Sequence, residues 1–150
     1  MRIGTGSRLK KFAVVGGLTA VAAAGSVLAA SPASAGPNCS AGYHCVFYTD
    51  IGSASHSYFN SDTDFTNDYF TNGAVVNDNV WSASNSSTGG YESHYYRDTG
   101  YAGGLLFCVN PGSYVHSASL SDDYIRGNGI GQRDEASSLR LRPTTTISCF

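Results

Sequence analysis

Along residues 36–150, apolar and aromatic positions occur in short runs separated by clusters of Gly, Ser, Asn and Asp. No segment repeats apolar residues at helical spacing over three turns, and short runs bounded by turn residues are typical of β-strands. Residues 53–77 and 113–132 are less regular, so we expect short edge strands or single helical turns there. The pattern predicts an all-β domain with strands at 43–48, 79–83, 91–97, 104–109, 137–141 and 144–148.

The two halves of this region resemble each other faintly. Each half opens on an aromatic strand, at 46–50 and at 95–98, and passes through a Gly-containing turn and an irregular stretch. Each closes on a Ser-bearing segment, at 78–82 and at 133–140. Two units of about 50 residues favour two packed Greek keys within one sandwich.

Residues 1–35 have the form of an export signal. Four basic residues precede an Ala/Val/Leu-rich stretch at 12–30, and Ala-Ser-Ala at 33–35 places cleavage before Gly36. A retained membrane anchor is the alternative, but the stretch is only weakly hydrophobic and a processing site follows it. We therefore expect a secreted protein whose single domain spans residues 36–150.

Composition narrows the partners of this domain. Residues 36–150 hold five Arg, no Lys and all eleven Asp and Glu, for a net charge of −6, together with 17 of the 18 aromatic residues. A basic surface that releases phosphate counterions is missing from this composition, so nucleic-acid binding is disfavoured, as is adhesion to anionic lipid after signal cleavage. The aromatic content favours a folded core, and we expect a monomer.

All four cysteines, Cys39, Cys45, Cys108 and Cys149, lie in the exported part. An even count in an oxidising compartment favours two disulfides. Of three connectivities we prefer Cys39 with Cys45, which closes a short loop, and Cys108 with Cys149, which fastens the C-terminal tail to a strand. A zinc site is disfavoured because no C-x-x-C spacing is present.

One segment of the second half resembles the βγ-crystallin signature, in which an aromatic residue, a second aromatic and a Gly follow at set spacing. Tyr96, Tyr101 and Gly103 match it, and the physical sense is a folded hairpin with a packed aromatic pair. A Ser of the closing strand, Ser137 or Ser138, is expected to bond this hairpin. In the first half the match is poor, because Ser53 and Ser55 follow Tyr48 at the corresponding places.

A wider resemblance is to secreted bacterial peptidase inhibitors whose first described member inhibits metalloproteinases. It rests on the order of five pieces: C-x-x-G-x-x-C at 39–45, the aromatic strand at 46–48, Gly-Gly at 103–104, Pro-Gly at 111–112 and A-S-S-L-R at 136–140. The resemblance implies inhibition of a secreted metallo- or serine protease by a rigid substrate-like loop. Cys108-Val109 is the candidate reactive bond, since Val109 suits a thermolysin-like enzyme and a disulfide would tether the cut ends. We favour the alternative that this bond lies in a core strand.

Calcium is a possible ligand under the same resemblance, because many βγ-crystallin domains bind it through two N/D-N/D-x-x-S/T-S motifs. The candidate ligands are Asp78, Asn79 and Ser82 in residues 78–83, and Asp134 and Ser137 in residues 133–138. Each segment breaks the motif at one position, which weakens a calcium site. We expect support of the hairpins to be the main role of the serines, and no cofactor to be required.

No catalytic residues are predicted. The chain has neither G-x-S-x-G nor H-E-x-x-H, and its four His residues are scattered without ligand spacing. A non-enzymatic alternative to inhibition is a binding or killer-toxin-like module that acts on cell surfaces. Tyr91, Tyr95 and Tyr96 would then stack on sugar rings. In the alternative, purely structural interpretation, they pack against one another within the hairpin.

Overall fold

A computed structural model of the chain describes residues 35–120 and 132–150. Residues 1–34 of the export signal expected at 1–35, together with residues 121–131, lie outside the described residues. Within the described part the fold is all-β, and no helix there is long and apolar enough to cross a bilayer. Its seven strands are β1 (His44–Phe47), β2 (Ser55–Tyr58), β3 (Ser82–Asn85), β4 (Tyr91–Tyr96), β5 (Leu105–Val109), β6 (Tyr114–Val115) and β7 (Ser138–Pro143).

The strands form two antiparallel sheets. The first sheet has the order β2-β1-β3-β6, and the second has the order β5-β4-β7. In each sheet a hairpin is flanked by a strand from later in the same half: β3 pairs with β1, and β7 pairs with β4 along six residues. Within residues 35–120 and 132–150, three single 3-10 turns lie in the connections: Phe65–Asn67, Thr99–Tyr101 and Ser117–Ser119.

Each half also sends one segment to the other sheet. The two-residue strand β6 lies between β5 and β7 in the chain, yet it pairs with β3 in the first sheet. In the first half, Asp62 follows β2 and forms a bridge with Leu139 of β7 in the second sheet, with both amides donating at 2.8 Å. Each sheet therefore contains backbone pairing from both halves of the chain.

The core lies between the sheets and is rich in aromatic rings. Tyr95 of β4 stacks on Phe107 of β5 with centroids 4.5 Å apart, and Tyr58 of β2 stacks on Phe65 at 5.0 Å. Such pairs contribute beyond the area that they bury. The core residues come from both halves and comprise Val46, Tyr58, Phe65, Phe70, Val76, Val80, Ala83, Tyr95, Leu106, Phe107, Val109, Val115, Leu120, Ala136 and Leu139.

Both disulfides join the pairs favoured from the sequence, Cys39 with Cys45 and Cys108 with Cys149. All four sulfurs are used, so the alternative of a four-cysteine zinc site is wrong. The first disulfide closes six residues of sequence separation and the second closes 41.

The strand predicted at 144–148 is wrong. Thr145 gives its amide and its hydroxyl to the Glu92 carboxylate, at 2.9 and 2.8 Å, and the Ile147 amide turns back to the Thr145 hydroxyl. These side-chain bonds replace a ladder, and the tail then reaches β5, where the Phe150 amide donates to the Cys108 carbonyl. The Thr and Ile residues of this segment predict a strand, because nothing in their local pattern indicates that Thr145 will bond the distant Glu92 carboxylate.

The other boundaries are close to expectation. The strand predicted at 79–83 begins later, at Ser82, because Asp78 and Val80 form irregular backbone bonds to the second half in place of a ladder. The less regular stretches contain the short strands β2 and β6 and two of the 3-10 turns, as expected for the described part.

Candidate functional site

The Cys108-Val109 bond lies in β5 at one edge of the second sheet, where the Phe150 amide of the C-terminal tail bonds the Cys108 carbonyl at 2.9 Å. Cys108 is 2 % exposed and Val109 is fully buried, and both pair with β4 through His94 and Ser93. A protease can bind only a segment that is accessible at the surface of its inhibitor. In the folded chain this bond is a core-strand bond, and the reactive-bond hypothesis at this position is corrected accordingly.

The folded hairpin of the second half has the geometry anticipated from its sequence. The Tyr96 and Tyr101 rings lie 5.9 Å apart, and Gly103 has φ +70°, where a Cβ would come within 2.5 Å of the Asp98 carboxylate. The Ser138 hydroxyl donates to the Asp98 carbonyl at 2.7 Å and accepts from the Tyr101 amide at 3.2 Å. Ser138 is thus the serine that joins the closing strand to the hairpin.

In the first half, Phe47 takes the place of Tyr96. The Phe47 carbonyl accepts from the Trp81 amide at 3.0 Å, just as the Tyr96 carbonyl accepts from the Ser137 amide at 2.9 Å. Comparing Tyr48 with the signature was therefore wrong by one residue, which moves every side chain to the other face of a strand. The hairpin serine of this half is Ser82, whose hydroxyl donates to the Thr49 carbonyl at 3.1 Å.

The two closing segments are related by a local two-fold arrangement of hydrogen bonds. The Asp78 amide donates to the Ala136 carbonyl, and the Asp134 amide donates to the Val80 carbonyl, both at 3.1 Å. Asp78 and Asp134 share a left-handed backbone, with φ 56° and 58°. Asp78 therefore corresponds to Asp134, and the register that matched Asp78 with Arg133 is wrong by one residue.

This correct register shows where the halves differ. One residue before the hairpin serine stands Ser137 in the second half and Trp81 in the first. The Ser137 hydroxyl donates to an Asp78 carboxylate oxygen at 3.1 Å. The Trp81 ring instead carries the Arg133 guanidinium, 4.8 Å from its centroid.

An acidic cavity of about 440 Å³ lies on the Ser137 side. Three of the five calcium candidates, Asp78, Asp134 and Ser137, line it together with Asp98, Glu135 and Arg97. Arg97 forms an ion pair with Glu135 at 2.7 Å, so part of the acidic charge is already neutralised. Oxygen ligands in this number suit a hard cation.

The other two calcium candidates point elsewhere. The Asn79 side-chain amide donates to the Asn77 carbonyl at 3.1 Å, and Ser82 is buried beneath its hairpin. Neither lines the acidic cavity, so the first predicted motif contributes only Asp78 to it.

The Cys39–Cys45 disulfide frames an exposed turn at residues 40–43. The Gly42 amide donates to the Ser86 carbonyl at 2.7 Å, and the Ser86 amide donates to the Tyr43 carbonyl at 2.9 Å. The Ser86 hydroxyl reaches the Cys39 carbonyl at 2.9 Å. Three bonds from a single buried residue therefore fix the backbone of the turn, while the Tyr43 ring stays exposed at the surface.

Beside this turn lies a second cavity of about 410 Å³, which we call the aromatic cavity. Phe59 and Tyr91 line it, and the Phe59 ring meets the Tyr43 ring edge-on with centroids 5.5 Å apart. Of the predicted tyrosine row, only Tyr91 is strongly exposed: Tyr95 is a core residue, and Tyr96 is half-buried against Tyr101.

Two buried polar pairs lie on β1 and β4. His44 Nδ1 is 2.6 Å from the Ser93 hydroxyl, and burial lowers the pKa of His44 to about 4. His94 Nε2 is 2.7 Å from the Glu92 carboxylate. Burial alone would raise the pKa of Glu92, but the bonds from His94 and Thr145 outweigh it, and the pKa lies below its ordinary value. Ser93 is fully buried, so its pairing with His44 faces the interior.

Comparisons of the chain with known protein families, with curated proteins and with solved structures found no match.

Sequence reasoning did not single out Phe59, Asn60 or the buried His44. Each comes to the aromatic cavity through the β1–β2 hairpin and its packing against residues 87–91. The one signal in the sequence is the pair Phe59-Asn60 directly after the strand β2. Many surface turns share this pattern, so it does not by itself indicate a binding site.

Proposed function

We propose that the chain is a secreted peptidase inhibitor with a βγ-crystallin-like fold of two Greek keys. Its strand order supports this fold: each half forms a hairpin, returns a closing strand beside the first strand, and sends its third segment to the other sheet. This arrangement agrees with the Greek-key pattern, divided between two sheets. The serine-bonded hairpin with Tyr96, Tyr101 and Gly103 supports it further.

The observation that carries the inhibitory proposal is the braced turn at residues 40–43. An inhibitor must present a segment that loses little conformational entropy when a protease binds it. The Cys39–Cys45 disulfide, which joins the two ends of the turn, and three hydrogen bonds with Ser86 meet this requirement, and the Tyr43 side chain is exposed. The contact segment in this proposal is therefore residues 40–43, in place of the buried Cys108-Val109 bond.

Within this turn the Gly42-Tyr43 bond is the candidate reactive bond. A thermolysin-like protease takes an apolar or aromatic side chain after the scissile bond, and Tyr43 supplies one. Cleavage there would leave the two ends joined by the Cys39–Cys45 disulfide. The cut product would then keep its place in the cleft.

Titration against a thermolysin-like metalloprotease and a subtilisin-like serine protease tests the proposal. We expect inhibition of at least one at micromolar protein, at least about tenfold weaker for Tyr43→Ala, with Tyr43→Phe close to the parent protein. Tyr69→Ala is the matched control, because Tyr69 is exposed but outside the turn. Mass analysis should find any nick between Gly42 and Tyr43. Inhibition of neither protease, or equal loss in both alanine variants, would overturn the proposal.

A second candidate function is calcium binding in the acidic cavity. The matched backbones of Asp78 and Asp134, which line the cavity together with Ser137, favour it. Because Trp81 replaces the equivalent serine, we expect one site per chain with a dissociation constant on the order of 10⁻⁴–10⁻³ M, as in extracellular modules. Calorimetric titration of CaCl₂ measures both, and Asp78→Asn should abolish the heat. Asp64→Asn, an acid outside the cavity, is the control; two sites per chain or no heat would contradict the hypothesis.

A further inference from the structure

The aromatic cavity has the size and the lining of a small-molecule site. Its volume of about 410 Å³ falls in the ~300–1,000 Å³ range of such sites. It is separate from the acidic cavity, since the two share no lining residue among those described. Its composition decides what class of ligand it suits.

A buried imidazole lies at the base of the aromatic cavity. His44 is 2 % exposed and lines the cavity. Its Nδ1 is bonded to the Ser93 hydroxyl at 2.6 Å, and no partner among the described residues bonds its Nε2. A neutral imidazole nitrogen accepts or donates a single hydrogen bond, depending on its tautomer. A polar group of a ligand in the cavity would complete the bonding of His44.

The hydroxyl groups of Ser87 and Ser61 also line this cavity, and each can still donate its proton to a ligand. The Ser87 hydroxyl accepts from the Tyr91 amide at 3.0 Å, and the Ser61 hydroxyl accepts from the Leu141 amide at 2.9 Å. Because each already accepts a bond, its O–H remains for a ligand acceptor. Asn60 adds an exposed side-chain amide, which both donates and accepts.

Two aromatic rings form the walls. Tyr91 is 46 % exposed and Phe59 is 63 % exposed, so part of each ring is accessible to a ligand. A Cβ placed on Gly42 would lie 3.7 Å from the Phe59 ring and 3.9 Å from the Thr88 hydroxyl, which shows that the Phe59 ring and a hydroxyl stand side by side above the turn. Aromatic faces beside hydroxyl and amide groups bind a ligand that is apolar on its ring face and polar around its edge.

The described lining contains no Asp, Glu, Lys or Arg. An anionic or cationic ligand would be desolvated there without a counter-charge, which disfavours it. We propose that the aromatic cavity binds a neutral sugar residue of a glycan, with its ring against Tyr91 or Phe59 and its hydroxyls on His44 Nε2, Asn60 and the cavity serines. Gly42 of the braced turn also lines this cavity, but the side chains proposed to hold the sugar lie outside residues 40–43.

Ligand-detected NMR with neutral tetrasaccharides tests the proposal. The probes are tetramers of N-acetylglucosamine, of β-1,4-glucose and of β-1,4-xylose, and we expect saturation transfer to at least one of them at millimolar concentration. The His44 imidazole signals of the protein should move with that ligand, while those of His116, which is bonded to Asp50 at 2.8 Å outside the cavity, should not.

Variants separate this site from the rest of the surface. Tyr91→Ala and Asn60→Ala should each weaken binding at least about tenfold, Tyr91→Phe should stay within about threefold, and Tyr69→Ala should leave binding unchanged. The Tyr91→Ala protein should inhibit proteases as the parent does. Transfer to none of the tetramers, preferential binding of a sulfated tetrasaccharide, or equal loss in Tyr69→Ala would overturn the proposal.

Discussion

The two halves of the molecule share a backbone plan but use it for different chemistry. Asp78 and Asp134 have the same left-handed backbone, and Ser82 and Ser138 each bond the hairpin of their own half. Yet the residue before the serine is Trp81 in one half and Ser137 in the other. The repeat therefore fixes the hairpins, while the surfaces on either side of the local two-fold are free to diverge.

The divergence also reaches the first strands of the two hairpins. In the shared register, Glu92 of β4 corresponds to Tyr43 before β1, and His94 corresponds to Cys45. The second half thus buries a Glu–His pair beside its disulfide, whereas the first half exposes an aromatic ring on its disulfide turn. A strand that carries a buried polar pair tolerates few substitutions, whereas an exposed turn tolerates many.

The largest difference between the halves should come from their disulfides. Chain entropy predicts that the Cys108–Cys149 bond, with a separation of 41, contributes about 4 kcal/mol, and the Cys39–Cys45 bond, with a separation of 6, about 2 kcal/mol. We expect Cys108→Ala/Cys149→Ala to lower the free energy of unfolding about twice as much as Cys39→Ala/Cys45→Ala. Urea unfolding of both double variants measures this. A larger loss for the short loop would show that its strength lies in the folded turn.

The hairpin serines offer a matched pair of substitutions. Ser138→Ala removes two hydrogen bonds, to the Asp98 carbonyl and from the Tyr101 amide. Ser82→Ala removes the bond to the Thr49 carbonyl. Unpaired buried groups cost ~1–3 kcal/mol each, so we expect about 3 kcal/mol for Ser138→Ala and about 1 kcal/mol for Ser82→Ala. Equal losses by urea unfolding would indicate that the two hairpins are equally dependent on their serine.

The all-β class, most strands and the disulfide pairs could be predicted because each depends on local pattern. Runs of aromatic and β-branched residues between turn residues, and cysteines spaced for a short loop and a long one, are present in the chain itself. The failures have a common cause in contacts between residues that are distant in the sequence. Thr145 leaves a predicted strand for Glu92, and the one-residue register error at Asp78 is visible only once its amide is seen on the Ala136 carbonyl.

The candidate site was predicted less well than the fold. The sequence brought out Asp78, Asp134 and Ser137 because a motif marks them, and all three line the acidic cavity. The aromatic cavity has no such motif, since its walls come from a hairpin end and a Gly-rich loop that are distant in sequence. For the Cys108-Val109 bond, the core-strand interpretation favoured from the sequence agrees with its burial in β5, and the reactive-bond candidate does not.

The buried Glu92 carboxylate distinguishes the second half by its pH dependence. Its pKa is lowered in the folded protein, so the stability that it contributes is present above its ordinary pKa in the unfolded chain and is lost as pH falls through the folded pKa. We expect Glu92→Gln to cost about 2 kcal/mol at pH 7, through weaker bonds to His94 and Thr145. The cost should shrink as the pH falls below about 4.

Thermal unfolding of Glu92→Gln and the parent protein from pH 7 to pH 3 measures this convergence. Asp64→Asn measures the effect of removing a partly exposed acid, because Asp64 lies outside β4 and its carboxylate accepts bonds from the neighbouring Thr66. A constant difference between the Glu92→Gln and parent proteins over the whole range would show that the charge of Glu92 contributes nothing and that only its shape matters.

The smallest effect is expected where the halves differ most visibly, at Trp81. Cation–π contacts at exposed sites contribute ~0.5–1 kcal/mol, so Trp81→Ser, which makes the closing segments alike, should cost about 1 kcal/mol by urea unfolding, and Trp81→Phe less. The same Trp81→Ser protein should still bind no more calcium than the parent protein, because the positive charge of Arg133 stays on that side. A gain of one calcium per chain in Trp81→Ser would mean that the lost serine, and not Arg133, separates the two halves.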